Sequence, residues 1–185
     1  MKIRTKQMIL CGLFAALVAV GAWIRIPMPY FDYITLQTLF VLLAGMLLGA
    51  KTGAFALGIY LLVGLCGVPV FAGGGGFDYV LRPSFGFLLG FVAAAALIGF
   101  LAERKKAPDF KTLLLAGLAG LAVIYGLGIL YRYLILNFYL GTPLSLWLIF
   151  LACLPAELPK DILIAIAAAG LAGRLRAAVT VKTNV

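Results

Sequence analysis

Six apolar runs alternate with short polar or turn-forming segments along the chain, and this alternation predicts six membrane-spanning helices. Each run is close to, or above, the length of about 17 to 25 residues that a helix needs to cross a bilayer. The runs are Met8–Ile24, Ile34–Gly49, Gly53–Val70, Phe85–Ala102, Thr112–Leu136 and Leu144–Gly173. We therefore expect an all-α integral membrane protein, with one six-helix domain over residues 1–185.

Three segments depart from the plain helical pattern. The last run is roughly 45 Å long as one straight helix, against about 30 Å of hydrocarbon. We expect it to tilt, to begin outside the core, or to kink at Pro155 or Pro159. Ala72–Ser84 holds four successive glycines and cannot form a regular helix. Arg25–Tyr33 is predicted to be a turn-prone, aromatic connection.

The composition supports a membrane protein. Hydrophobic residues make up 65% of the chain and charged residues 11%, whereas soluble domains carry about 25% charged residues. The chain has no histidine, and its three cysteines lie singly in apolar runs, so we expect no metal, no disulfide framework and no cofactor. The net charge of +9 does not indicate nucleic acid, because the basic residues lie between hydrophobic spans.

The basic residues predict the orientation of the bundle. With six spans and a cytoplasmic amino terminus, eleven of the fifteen lysines and arginines fall in cytoplasmic segments, in agreement with the positive-inside rule. These eleven are Lys2, Arg4, Lys6, Lys51, Arg104, Lys105, Lys106, Lys111, Arg174, Arg176 and Lys182. Both termini are then cytoplasmic, with basic tails at 1–7 and 174–185. The glycine-rich loop between the third and fourth helices lies outside.

A cluster of charged residues lies inside the last apolar run. Glu157, Lys160 and Asp161 stand at i, i+3 and i+4, which places them on one side of a helix. A charge at membrane depth is costly unless it is paired or faces a polar cavity. The segment is therefore interpreted as one wall of a binding site for a polar ligand. The alternative is that Glu157 and Lys160 only neutralise each other and lock two helices.

Further candidates for this site lie at the predicted outer end of the bundle. Arg82 or Lys160 could receive a ligand carboxylate, and Glu157 or Asp78 could accept from ligand N–H groups. Arg82 could instead snorkel to the interface, and Asp78 could serve a turn or a helix cap. The glycines permit close approach of the backbone to a ligand, or form a flexible connector. The predicted ligand-binding set is completed by Tyr79, Gln37, Gly73, Gly74, Gly75 and Gly76.

Three stretches of the sequence closely resemble the BioY family, the biotin-specific substrate-binding (S) components of energy-coupling-factor transporters. The first runs from Thr35 to Gly49, the second from Tyr60 to Gly74 and the third from Arg82 to Phe91. The family's closing Pro-Gly-Asp-x-x-Lys signature is similar to residues 155–160, where Glu157 stands for the ligand-facing carboxylate and Lys160 for the cation. Glutamate replaces aspartate here, and Arg82 precedes Pro83 where glycine is expected.

The resemblance implies capture of biotin from outside a prokaryotic type of plasma membrane. It also implies partners, namely a transmembrane coupling subunit and two ATPase subunits, because this sequence has no GxxxxGK[ST] loop of its own. In the resembling transporters, small residues of the first helix form the docking face. Ala15 and Ala19 match that arrangement, although bundle packing explains such a pair as well.

Other functions fit the same architecture less well. An S component for another vitamin is the nearest alternative, since the bundle would be unchanged. A membrane-embedded enzyme would need an activated nucleophile or base, and the sequence has no histidine and no HExxH or GxSxG motif. A scaffold would not need three ionisable residues in its last span.

Overall fold

The computed structural model describes residues 5–28 and 31–179, which form a bundle of six α-helices with one β-hairpin. The elements are α1 (Thr5–Trp23), β1 (Arg25–Met28), β2 (Phe31–Thr35), α2 (Gln37–Leu48), α3 (Ala50–Leu65), α4 (Phe85–Glu103), α5 (Phe110–Leu134) and α6 (Leu146–Val179). A short 3-10 helix covers Phe77–Leu81, and a π-helical turn, Ile135–Tyr139, follows α5. The prediction of six helices is confirmed. Residues 1–4 and 180–185 of the two predicted tails lie outside the described residues.

Four helical stretches of the described chain are long and apolar enough to cross a membrane. They are Thr5–Trp23, Gln37–Leu65, Phe85–Glu103 and Phe110–Tyr139. The second stretch is not one straight helix, because the Gln37 amide donates a 2.7 Å hydrogen bond to the Tyr60 hydroxyl. In a continuous helix these residues would lie about 35 Å apart. The helices α2 and α3 therefore fold back on each other.

Gly49 makes the turn between α2 and α3. Its φ of 81° is one that residues with a side chain rarely adopt, and a Cβ there would lie 2.0 Å from Oε1 of Glu103. The twelve residues of α2 span only about 18 Å. The predicted spans Ile34–Gly49 and Gly53–Val70 are thus too long at the ends remote from Gly49. The first of them begins in β2 rather than in a helix, and the residues of the second that follow Leu65 form turns.

The connection predicted between the first two spans forms an antiparallel hairpin. Arg25 pairs with Thr35 and Ile26 with Ile34, and the register shifts between Pro27 and Met28. A proline cannot donate to the ladder, which is why it occurs at irregular positions of this kind. The backbone N–H of Leu36 then donates to the carbonyl of Gly21 at 3.1 Å, so α2 begins beside the end of α1.

Side chains fix α1 alongside α3 at both ends. The Cys11 thiol lies 3.6 Å from the Thr52 carbonyl near the start of the two helices. At the other end, the Trp23 indole N–H donates to the Pro69 carbonyl at 3.1 Å. The two helices are therefore parallel and in direct contact, and α2, which follows α1 in the chain, runs antiparallel to both.

The helices α4 and α5 approach closely because glycines line their contact. A Cβ at Gly90 would lie 2.9 Å from the Cα of Ile124, and a Cβ at Gly86 would lie 2.2 Å from the Cβ of Tyr131. Small residues let membrane helices gain dispersion contacts that larger side chains would prevent. Gly86 and Gly90 of α4 therefore form a close-packing pair against α5.

The last helix is longer than predicted and passes through both prolines. It covers 34 residues, or roughly 51 Å, and neither Pro155 nor Pro159 ends it. Near its carboxyl end, the Arg176 guanidinium donates to the carbonyls of Met46 (3.2 Å) and Ala102 (3.4 Å). These carbonyls belong to the last turns of α2 and α4, where helices lack internal donors. Arg176 thus joins three helices at one end of the bundle.

The glycine contact between α4 and α5 can be tested with a matched pair of alanine variants. We expect Gly90→Ala to lower the free energy of unfolding by about 1 to 3 kcal/mol, because its Cβ meets backbone across the interface. Gly126→Ala on α5 meets nothing within 4 Å and should stabilise the helix by up to about 1 kcal/mol. Thermal unfolding in one detergent measures both. Equal effects of the two variants would contradict the packing account.

Candidate ligand-binding site

A polar cavity lies at the end of the bundle opposite to the loop between α4 and α5. It is a cleft partly open to solvent, with about 690 Å³ of empty space when that open part is included. Its walls come from the end of β2, the start of α2, the glycine-rich loop, α4, α5 and the middle of α6. The lining residues are Thr35, Gln37, Thr38, Ala72, Tyr79, Ser84, Phe87, Leu88, Phe91, Ile124, Tyr125, Arg132, Glu157, Lys160 and Asp161.

The charged residues of α6 reach this cavity together. Glu157, Lys160 and Asp161 all line it, as their spacing on one side of a helix requires. The Lys160 ammonium lies 3.0 Å from Oδ1 of Asp161 and donates a 3.2 Å hydrogen bond to the Thr35 carbonyl. Lys160 thereby ties α6 to the end of the hairpin. An ammonium has three N–H groups, so a donor is left for a ligand.

Asp161 is the most buried of the three charged residues. Only 3% of its surface is exposed, and its Oδ2 accepts a 2.7 Å hydrogen bond from the Tyr125 hydroxyl of α5. The Lys160 contact at Oδ1 is a charge contact that does not meet hydrogen-bond geometry. In the part of the chain that the structure describes, Oδ1 accepts no hydrogen bond.

A second polar network lies behind the cavity wall formed by β2 and α2, and it connects this wall to α3. The buried Gln37 accepts from the Thr35 hydroxyl (3.2 Å) and donates to Tyr60 (2.7 Å). The Tyr60 hydroxyl donates in turn to the Val70 carbonyl at 3.1 Å. Since buried polar groups are costly when unpaired, this chain of bonds fixes the hairpin end and the start of the glycine-rich loop relative to each other.

The glycine-rich loop packs on the end of α3, and residues that flank the glycines, rather than the glycines themselves, line the cavity. The Phe71 and Gly74 backbones exchange hydrogen bonds of 2.8 and 3.1 Å, and the Gly76 N–H donates to the Gly64 carbonyl at 2.8 Å. A Cβ at Gly75 would lie 2.2 Å from the Val68 carbonyl oxygen, so this glycine is required by packing of the loop itself. Ala72 and Tyr79 line the cavity, whereas Gly73–Gly76 do not.

Arg82 and Asp78, two further predicted ligand contacts, are exposed and do not line the cavity. The Arg82 guanidinium donates to the Gly73 carbonyl at 3.0 Å and lies 4.9 Å from the centre of the Tyr79 ring. It therefore holds the loop in place around a cavity-lining aromatic residue. Asp78 lies in the first turn of the 3-10 helix. Of the predicted ligand-binding set, the cavity brings together Gln37, Tyr79, Glu157 and Lys160.

Several lining residues were not assigned to the site from the sequence. Tyr125 and Arg132 stand seven residues apart on α5, and this spacing puts both on one face of a helix that is otherwise apolar. That periodicity is a signal that could have identified them. The apolar side of the cavity, formed by Phe87 and Phe91 of α4, is indistinguishable in sequence from ordinary helix packing.

The two predicted docking residues lie on α1, away from the cavity. Ala15 and Ala19 are half-buried and pack against the core, while Gly12 and Ala16 on the same helix are exposed. The docking role of Ala15 and Ala19 stays a prediction. No group of three potential metal ligands occurs within the described ranges.

Comparison with known proteins identifies relatives over most of the chain. The family model described as the BioY family matches residues 1–181. A probable biotin transporter BioY of Lysinibacillus sphaericus is 43% identical over 171 residues, which cover 92% of this chain and 87% of that protein. The biotin transporter BioY of Thermotoga maritima is 44% identical, over 72% of this chain and 76% of the relative.

A solved structure matches the fold. The crystal structure of the S-component for biotin from an ECF-type ABC transporter superposes with a TM-score of 0.82 at 26% identity, covering 95% of each chain. Together with the match of the family model over nearly the whole sequence, this similarity places the protein plainly: the chain belongs to the BioY family.

Proposed function

We propose that this protein is the biotin-binding S component of an energy-coupling-factor transporter in the cell membrane. The observation that carries the proposal is a cavity lined by two cations and two carboxylates inside an apolar bundle of a BioY-family chain. Charged groups at such a depth mark the path or the binding site of a polar solute. The relatives named as biotin transporters, and the solved S-component for biotin, support the identity of that solute.

The chemistry of the cavity suits the chemistry of biotin. The vitamin has a valerate carboxylate, an apolar sulfur-containing ring and a ureido group with two N–H donors and one carbonyl. Lys160 is the proposed partner of the carboxylate, and Glu157 accepts one ureido N–H. Phe87, Phe91 and Tyr79 cover the apolar ring.

In this proposal, the loop residues that were predicted to contact the ligand act by holding the loop in place. Arg82 fixes Gly73 and Tyr79, and the close packing of Gly75 on Val68 keeps the loop over the cavity. The loop thereby holds its cavity-lining residues at the mouth. Gln37 is already committed to Thr35 and Tyr60, so it acts by holding the wall of the cavity.

The protein needs partners to drive uptake. We infer that both termini lie in the cytoplasm and that the cavity opens to the outside, because the basic loop between α4 and α5 lies at the opposite end of the bundle. A transmembrane coupling subunit would dock on α1 near Ala15 and Ala19, and two ATPase subunits would supply the work.

Purified protein should bind biotin in preference to other vitamins. Biotin should bind saturably, with one molecule per chain, and neither riboflavin nor thiamine should displace it. Equilibrium titration with labelled biotin, with the other vitamins as competitors, measures this directly. Tighter binding of another vitamin would instead support the nearest alternative, an S component of different specificity.

The charged residues of α6 should each be needed for affinity. Lys160→Ala and Glu157→Ala should each weaken biotin binding by at least about 2 kcal/mol, because removing one buried charge leaves its partner uncompensated. Lys105→Ala, in the exposed loop at the opposite end, is the control for a change in net charge. Wild-type affinity in both α6 variants would remove the site from this helix.

The proposed docking face on α1 can be separated from the binding site. Ala15→Trp combined with Ala19→Trp should abolish biotin uptake by cells while biotin binding in detergent stays nearly intact. Leu163→Trp with Ile166→Trp, on the exposed surface of α6, controls for two added tryptophans. Loss of binding together with uptake in the α1 variant would show that these alanines serve bundle packing.

A further inference from the structure

The buried Asp161 carboxylate has one oxygen whose role the bundle itself does not explain. Oδ2 is held by Tyr125 at 2.7 Å, and the whole residue is 3% exposed. Among the described residues, no donor reaches Oδ1 with hydrogen-bond geometry, although the Lys160 ammonium lies 3.0 Å away. Leaving a buried carboxylate oxygen without a hydrogen-bond donor is unfavourable. Oδ1 thus has a charge contact but no hydrogen-bond donor from the described residues, and it lies at a cavity where a ligand can supply that donor.

The position of Asp161 decides what that donor can be. Asp161 lines the same cavity as Glu157 and Lys160, so a molecule bound there meets its carboxylate. Lys160 neutralises the charge of Asp161 but is also drawn to the Thr35 carbonyl at 3.2 Å, which keeps the ammonium on one side of the carboxylate. The Tyr125 hydroxyl fixes the other oxygen. The carboxylate is thus held before any ligand arrives.

We propose that Oδ1 of Asp161 accepts a hydrogen bond from the ureido ring of the bound vitamin, and that Tyr125 is a positioning residue that holds this carboxylate. The inference rests on the proposed function and deepens it, because it adds a second acceptor beside Glu157. The two N–H groups of the ureido ring then meet one carboxylate each. Charge-assisted bonds of this kind are roughly twice as strong as neutral ones, so Asp161 contributes to specificity for a cyclic urea.

A ligand analogue separates direct contact from a merely structural role. In 2-iminobiotin, a guanidinium replaces the urea, so the ring keeps its N–H groups, gains a positive charge and has a donor in place of the carbonyl acceptor. The last change is the same for every variant, so a comparison of variants cancels it. A carboxylate that accepts from the ring favours this cation at contact distance, whereas a carboxylate that only holds helices together acts on it more weakly, from farther away and beside the opposite charge of Lys160. The quantity to measure is the ratio of the two dissociation constants, that of 2-iminobiotin divided by that of biotin.

Asp161→Asn should raise this ratio by about tenfold or more at neutral pH, because the amide loses the charge that favours the guanidinium. Asp109→Asn makes the same chemical change at an exposed position at the opposite end of the bundle and should leave the ratio within about threefold of wild type. A ratio for Asp161→Asn that stays within about threefold of wild type would overturn the proposal. Failure of the wild-type protein to bind biotin would instead overturn the proposed function.

Two further measurements cover the case in which Asp161→Asn does not fold. Wild-type protein should bind 2-iminobiotin no more than about tenfold more weakly than biotin, because two carboxylates at a cationic ring offset the lost carbonyl acceptor, and a larger loss of affinity would contradict the proposal. Tyr125→Phe keeps the carboxylate but loses its holding bond. It should weaken biotin binding by about three- to tenfold and leave the ratio within about threefold of wild type. Unchanged biotin affinity in Tyr125→Phe would remove the positioning role.

Discussion

The need to compensate charge inside an apolar bundle determines how the cavity end of this protein is built. Lys160 and Asp161 neutralise each other on α6, and each is also bonded to another element, Lys160 to the Thr35 carbonyl and Asp161 to the Tyr125 hydroxyl. Compensation therefore requires the hairpin, α5 and α6 to meet at one place. The cavity is the space between these three elements. It is polar because Lys160, Asp161 and Tyr125, which bond to one another there, line it.

The two ends of the bundle are held by different kinds of contact. Around the cavity, side-chain bonds such as those of Gln37 and Arg82 fix strands and loops that have little regular structure of their own. Away from it, glycines such as Gly99, whose Cβ would meet the Ala50 backbone, bring helices into close contact, and Arg176 joins the ends of α2, α4 and α6. A tightly packed apolar part thus supports a polar mouth, and this arrangement holds the binding groups in fixed positions.

The sequence predicted what depends on local composition and missed what depends on tertiary contact. Long apolar runs predicted six helices, and three ionisable residues at helical spacing in α6 indicated a common face. The hairpin was missed because its pairing is not visible in a short aromatic segment with prolines. Arg82 is a cation close to the cavity in sequence, so it was predicted to contact the ligand. Its guanidinium donates to the Gly73 carbonyl instead, and this tertiary contact is not visible in the sequence.

A crystal or cryo-EM structure of the protein with biotin tests the central claim most directly. The account predicts biotin in the cavity between α4, α5 and α6, with its carboxylate at Lys160 and its ureido ring at the carboxylates of α6. Biotin bound elsewhere, with Glu157 and Lys160 turned toward lipid or paired only with each other, would contradict it.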